Sequence, residues 1–103
     1  MYIAMNRFQV KKERCGDFEQ MWKDRDSYLH EVPGYKEFHL LKGPEEEDHI
    51  LYSSHTLWES HGHFVDWTKS EAFRKAHANA GNQSDPVTLG HPKFEGFEIV
   101  LTK

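Results

Sequence analysis

The sequence predicts an α+β domain whose elements follow the order β-α-β-β-α-β. Three observations lead to this prediction. The chain has 103 residues, of which 37% are hydrophobic, so residues 1–103 suffice for a single domain with its own core. Four stretches have the alternation or the apolar content of strands. Two other stretches place apolar residues at helical spacing.

The first predicted strand runs from Tyr2 to Val10. Its even-numbered residues are apolar except Asn6, which therefore shares the face that points to the core. Asparagine is unfavourable in the middle of a strand and costly to bury without hydrogen bonds. Two interpretations stay open. Either neighbouring backbone groups satisfy the amide, or the amide donates a hydrogen bond to a bound ligand.

The first helix is predicted around Phe18 to Leu29, and its apolar face includes one cation, Arg25. Asp17 and Gln20 have the spacing of a capping box at the start of this helix. Arg25 either extends its charge to the rim of the core or binds the carboxylate of a ligand.

The remaining elements complete the predicted order. Two strands, Tyr35–Lys42 and His49–Leu57, form a hairpin whose exposed turn comprises Gly43-Pro44 and the acidic run Glu45–Asp48. A polar loop is predicted for Asn79–Pro92, and a last strand for Lys93–Thr102. This order is the ferredoxin-like arrangement.

Two helices can cover only one face of such a sheet. The other face contains Ile3, Met5 and either the Phe94 or the Phe97 set of the last strand. An apolar face of this size needs a partner, and a second copy of the chain packed sheet against sheet would cover it. The sequence therefore predicts a homodimer.

Composition excludes several classes of partner. The net charge is −4 and the 13 basic residues form no stripe, which argues against nucleic acid and against an anionic membrane surface. No apolar run has the length of a membrane span. The single cysteine, Cys15, cannot form an internal disulfide, so a cytoplasmic location is expected. The eight histidines do not repeat at zinc-site spacing.

The second helix is predicted from about Glu59 to Asn79 and contains an unusual set of residues. Phe73 lies one turn before His77, and Trp67 lies about 80° from His77 around a straight helix. Ser70 can act as an N-cap and so permits a bend between them. His77 itself has two interpretations, a surface histidine at the negative end of the helix or a metal ligand.

A pocket with one histidine, aromatic walls, a basic rim residue and a neutral amide suits haem. A single histidine on the iron leaves the opposite axial position open for dioxygen. The amide of Asn6 could then donate a hydrogen bond to an iron-bound oxygen.

The chain resembles the Isd-type haem-degrading monooxygenases of the antibiotic biosynthesis monooxygenase superfamily. The resemblance covers essentially the whole chain and is most specific in the segment FVDWTKSEAFRKAH, Phe64 to His77, and at Asn6-Arg7. It implies a dimeric α+β barrel that binds one haem per subunit in a cleft between the helices and the sheet.

The resemblance also implies a role for each site residue. His77 would be the proximal iron ligand, Trp67 would enforce ruffling of the macrocycle, and Asn6 would bind the distal oxygen species. Arg25 would lie near the propionates. The helical spacing, rather than the resemblance, places Phe73 as an aromatic wall under the imidazole of His77. Haem would be both substrate and cofactor. Its ring would be opened with dioxygen and electrons from a reductase or a small reductant, releasing iron for acquisition.

Two other functions remain open at this point. One is a cofactor-independent oxygenase of the same superfamily that acts on a phenol or a quinol. The other is a non-catalytic dimer that binds or stores haem.

Overall fold

The computed structural model describes residues 1–25, 29–77 and 87–103, except for the side chains of Ala72, Ala76 and His77. Short 3₁₀ turns span Lys12–Arg14 and Leu29–Glu31. The main elements, in order, are β1 (Tyr2–Val10), α1 (Cys15–Asp24), β2 (Tyr35–Glu45), β3 (Ile50–Trp58), α2 (His61–Thr68), α3 (Glu71–His77) and β4 (Lys93–Glu98). The predicted α+β, ferredoxin-like fold is confirmed, with the second helix divided in two.

The four strands form one antiparallel sheet in the order β2-β3-β1-β4. β1 is central and pairs with both β3 and β4. Asn6, in the middle of β1, lies opposite Ser54 of β3 and Phe94 of β4. The register therefore places Asn6 at the centre of the sheet.

The core lies on one face of this sheet in two clusters. At one end, Phe64 and Trp67 of α2 pack against the fully buried Trp58 and against Tyr2. At the other end, Phe18 of α1 packs against Tyr52 with ring centroids 5.0 Å apart. The helices α1 and α2 thus cover opposite ends of the same face.

β2 continues through Gly43-Pro44 to Glu45, so the predicted turn is wrong at these residues; its later part does connect the strands, where the N–H of Glu46 donates to the carbonyl of His49 at 2.8 Å. The pairing of β2 with β3 shifts between Lys42 and Glu45, which is where the proline lies. β2 is an edge strand, and an edge strand tolerates proline because the missing N–H can face away from the sheet.

β4 ends at Glu98, four residues before the predicted end at Thr102. Glu98 pairs with Tyr2, the first residue of β1, so the central strand offers little backbone beyond it. One further bond forms, from the N–H of Ile99 to the carbonyl of Met1 at 3.0 Å. Val100 is then 93% exposed.

α1 begins at Cys15 rather than at the predicted capping box, which does not form. The carboxylate of Asp17 instead accepts a hydrogen bond from Arg14 at 2.7 Å. The side chain of Gln20 donates to Asp24 at 2.8 Å. Both residues are therefore engaged along the helix surface rather than at its end.

Residues 79–86 of the polar loop predicted at Asn79–Pro92 lie outside the described part of the structure. The last part of the loop packs beside β1: Val87 is buried, and its carbonyl accepts a hydrogen bond from the backbone N–H of Lys11, the residue after β1, at 2.9 Å. Thr88 forms a β-bridge with Val10.

No helix of the described residues covers the second face of the sheet. Ile3 pairs with Leu57 on one side and with Phe97 on the other, and Phe97 is 47% exposed. Phe94 lies on the helix side, where its ring stacks on Phe64 at 5.5 Å. The Phe97 set is therefore the one on the open face.

Candidate functional site

A cavity lies between the sheet, α1 and α2, and small or polar residues of β1 and β3 form its floor. Ala4 pairs with Thr56, and Asn6 pairs with Ser54. These short side chains lie between the large Tyr52 and Trp58 of β3, so the covered face of the sheet has a depression at its centre. The cavity lining comprises Ala4, Asn6, Trp22, Arg25, Leu29, Phe38, Ser54, Thr56, Phe64 and Trp67.

The amide of Asn6 has no hydrogen-bond partner among the residues that the structure describes. The bond that involves this residue is made by its backbone N–H, which donates to the hydroxyl of Ser54 at 3.2 Å. Of the two interpretations of Asn6, backbone satisfaction of the amide is therefore not what the structure shows. The side chain lines the cavity with its hydrogen-bonding capacity available for a ligand.

α1 supplies one wall, and Arg25, the residue that follows it, supplies the cation. Trp22 stacks against Phe38 of β2 with ring centroids 5.6 Å apart. The guanidinium of Arg25 lies over the Trp22 ring, with its carbon 4.6 Å from the centroid. In the described part of the chain Arg25 has no carboxylate partner, and burial lowers its pKa below the ordinary value. A half-buried cation without a counter-ion favours an anionic group of a ligand.

α2 supplies the opposite wall. The hydroxyl of Ser60 caps the helix by accepting a hydrogen bond from the N–H of His63 at 3.2 Å. The helix then places Phe64 and Trp67 above the sheet, where the Trp67 ring lies 5.4 Å from that of Trp58. Trp67 is thus held by the core on one side and borders the cavity on the other.

The predicted bend between Trp67 and His77 is present as a break between α2 and α3. The hydroxyl of Ser70 donates to the carbonyl of Trp67 at 2.6 Å and accepts from the N–H of Phe73 at 3.1 Å. One side chain thus ends one helix and caps the next. The Phe73 ring meets Trp67 edge-on at 4.9 Å.

Three of the predicted site residues, Asn6, Arg25 and Trp67, line this one cavity. Phe73 contacts Trp67 but is not part of the described lining. His77 is the last residue of α3, and its side chain lies outside the described part of the structure. Its role as iron ligand stays a prediction.

Sequence reasoning missed the rest of the floor and walls, namely Ala4, Trp22, Leu29, Phe38, Ser54, Thr56 and Phe64. A signal was present in β3, where the face that carries Tyr52 and Trp58 has two small polar residues between them. Two small side chains between two large ones on the same face of a strand indicate a depression in the sheet.

The cavity has a volume of about 70 Å³, with about 520 Å³ of empty space in all when its open mouth is included. Arg25 is the titratable group among the described residues that line it. Over the same residues, no group of three or more His, Cys, Asp or Glu side chains could hold a metal ion. Nor is any described helix long and apolar enough to cross a membrane.

The fold and the cavity define an α+β protein with an aromatic-lined cavity between its helices and its sheet. A family model described as antibiotic biosynthesis monooxygenase matches residues 1–79, and the chain belongs to this family. A heme-degrading monooxygenase of Shouchella clausii is 28% identical over 102 residues, which cover 97% of this chain and 92% of that protein.

Solved structures show the same similarity. MhuD of Mycobacterium tuberculosis, a heme-degrader with two hemes bound in its active site, is 27% identical with a TM-score of 0.74, over 100% of this chain and 99% of MhuD. SnoaB of Streptomyces nogalater, a cofactor-independent oxygenase, has a TM-score of 0.68 at 18% identity, over 98% of this chain and 94% of SnoaB. The likeness to SnoaB shows the fold alone.

Proposed function

We propose that this protein is a haem-degrading monooxygenase that opens the porphyrin ring with dioxygen and external electrons, releasing iron and a bilin-type product. The observation that carries the proposal is the amide of Asn6, which lines an aromatic cavity and has no partner in the described structure. The relative from Shouchella clausii and the structure of MhuD support haem as the ligand.

The chemistry of the lining residues fits haem. Trp22, Phe64 and Trp67 offer flat apolar surfaces, and Arg25 offers a cation for a propionate. The fit in size requires movement, because about 70 Å³ is less than the roughly 300–1,000 Å³ of a ligand pocket. We propose that the wall made by α2 and α3 moves to admit the ring.

Bound haem would supply the redox and oxygen chemistry, with electrons from a reductase or a small reductant. The protein would position the ring and exclude water. Asn6 would donate a hydrogen bond from a neutral amide, which holds no readily transferable proton. Trp67, braced against Trp58, would press on the macrocycle, and Phe73 would extend the same wall. His77 would hold the iron.

Haemin titration tests these roles. Wild-type protein should shift the Soret band of haemin, and the shift should saturate at a fixed ratio of haemin to protein. His77→Ala should change the absorption features that depend on the iron ligand. His91→Ala, at an exposed position, should leave them unchanged. An unchanged spectrum in His77→Ala would remove the ligand assignment. Mass spectrometry of the product formed with reductant and air should show an open tetrapyrrole.

Variants of the cavity separate binding from turnover. Asn6→Ala and Trp67→Phe should still bind haemin, because neither removes the iron ligand. Turnover should fall by about tenfold or more in each, which corresponds to about 1.4 kcal/mol of lost transition-state stabilisation. Gln9→Ala, on the other face of β1, is the control. Normal turnover in both cavity variants would contradict their proposed roles.

One observation favours a second candidate function. The small volume of the cavity suits a single aromatic ring better than a porphyrin, as in a cofactor-independent oxygenase that acts on a phenol or a quinol. Oxygen consumption with such a substrate by protein that does not bind haemin would establish this alternative. Stoichiometric haemin binding without bleaching under reductant and air would instead indicate a haem-binding or storage protein.

We further propose that the protein is a homodimer and acts in the cytoplasm. The open face of the sheet presents Phe97 and Leu41, which are 47% and 40% exposed, around the half-buried Ile3, Met5 and Leu57. Burial of such a face against a second copy would stabilise both chains. The unpaired state of Cys15 is compatible with a reducing compartment.

A further inference from the structure

A second cavity of about 350 Å³ lies between α1 and β2. Trp22 and Phe38 line both this cavity and the first one. Their stacked rings, inclined at 25°, therefore form a shared wall. We call the second cavity the α1–β2 cleft; its other lining residues are Glu19, Lys23, Leu40, Lys42 and Tyr52. Its volume lies within the range of small-molecule sites.

The charges in the α1–β2 cleft favour an anion. Lys23 and Lys42 are exposed and have no ion-pair partner among the described residues. Glu19, the one carboxylate in the described lining, accepts a hydrogen bond from the hydroxyl of Tyr52. The cleft is thus a local positive site on a chain whose net charge is −4.

The hydroxyl of Tyr52 keeps Glu19 engaged over a wide pH range. Burial and the hydrogen bond to Glu19 raise the pKa of Tyr52 well above its ordinary value. A phenol is protonated at neutral pH, so Tyr52 donates to Glu19 there. This hydrogen bond does not remove the charge of the carboxylate, but the two lysines outnumber the one carboxylate of the described lining, so an anionic ligand meets an excess of positive charge.

We propose that the α1–β2 cleft is a second binding site and that it takes a flat aromatic carboxylate. The aromatic ring would lie against Trp22, Phe38 and Leu40, and the carboxylate would lie between Lys23 and Lys42. This site is separate from the cavity that contains Asn6, and the proposal does not rest on haem degradation.

Methyl-resolved NMR with naphthoate, a fused two-ring aromatic carboxylate, tests the proposal on the whole chain. Leu40 lines the α1–β2 cleft alone, and Leu29 lines the first cavity alone, so their methyl signals distinguish the two sites. Naphthoate should shift the signals of Leu40 saturably and leave those of Leu29 in place.

Lysine variants test the charge. Lys23→Gln and Lys42→Gln should each weaken naphthoate binding about two- to fivefold, as expected for exposed ion pairs. Lys36→Gln, on the same strand as Lys42 but outside the lining, is the matched control and should bind as wild type does. These exposed substitutions leave the core intact, so loss of folding does not confuse the result.

Three results would overturn the proposal. Shifts of Leu29 without Leu40 would place the probe in the first cavity. Affinity equal to wild type in both lysine variants would show that the charges do not recognise the carboxylate. The absence of any saturable shift would show that no site exists for this class of ligand.

Discussion

Gly34 is the point at which the chain entering β2 meets the start of α2. Its backbone has φ +86, a left-handed conformation that glycine adopts readily and other residues adopt at a cost. Its carbonyl accepts a hydrogen bond from the N–H of Glu59 at 2.7 Å. A Cβ added here would lie 2.5 Å from the Cβ of His63, whereas real Cβ contacts stay beyond 3.0 Å.

The substitution Gly34→Ala should therefore destabilise the fold by about 1–3 kcal/mol. The left-handed backbone costs about 1–2 kcal/mol in a non-glycine residue. Displacement of His63 also weakens the Ser60 cap of α2, and loss of an N-cap costs about 0.5–2 kcal/mol. Alanine recovers about 0.4–1 kcal/mol by restricting the unfolded chain.

Equilibrium urea unfolding measures this effect through the midpoint and the slope. Gly16→Ala is the matched control: a Cβ at this position in α1 meets nothing within 4 Å, so alanine should be neutral or stabilising by up to about 1 kcal/mol. Because α2 holds Trp67 at the cavity, Gly34→Ala should also weaken haemin binding. A Gly34→Ala midpoint equal to that of wild type would refute the reasoning.

Three further predictions concern pH, charge and assembly. The pKa of Tyr52 is raised in the folded protein, so this residue contributes stability that is present below the pKa of about 10 that tyrosine has in the unfolded chain and is lost as pH rises above it. Tyr52→Phe should therefore reduce the loss of stability at alkaline pH in urea titrations. An unchanged loss would exclude Tyr52 as its source. Arg25→Gln should lower haemin affinity about fivefold and flatten its salt dependence, unless the propionates bind elsewhere, in which case both stay unchanged. Phe97→Glu should give a monomer in sedimentation velocity; an unchanged sedimentation coefficient would show that the open face does not mediate assembly.

Local sequence patterns predicted the elements but not every boundary. The alternation in β1 gave its correct limits, because the strand is central and one of its faces is buried. Pro44 suggested a turn, whereas its position at the sheet edge, which depends on the strand order, allows β2 to continue. The end of β4 at Glu98 depends on where β1 begins, and no local pattern of β4 contains that information.

The candidate site was predicted in part for the same reason. Asn6 and Trp67 stand out because each is unusual within its own element. Ser54 and Thr56 are ordinary residues in a strand, and they become part of the site through the register that places them opposite Asn6 and Ala4. Contributions of this kind come from pairing between distant segments, which a single sequence does not display.

The attachment of α3 to α2 has a thermodynamic consequence. Helices in proteins gain most of their stability from tertiary packing rather than from intrinsic propensity, and the Ser70 cap and the contact of Phe73 with Trp67 supply such packing to α3. A ligand that presses on these two rings would then be linked to the helix–coil equilibrium of α3. Part of the ligand's intrinsic binding energy would be spent on ordering that segment. Its apparent affinity would be reduced in proportion to the fraction of molecules in which α3 is formed. Amide hydrogen exchange across Glu71–His77 would accordingly slow as ligand concentration rises.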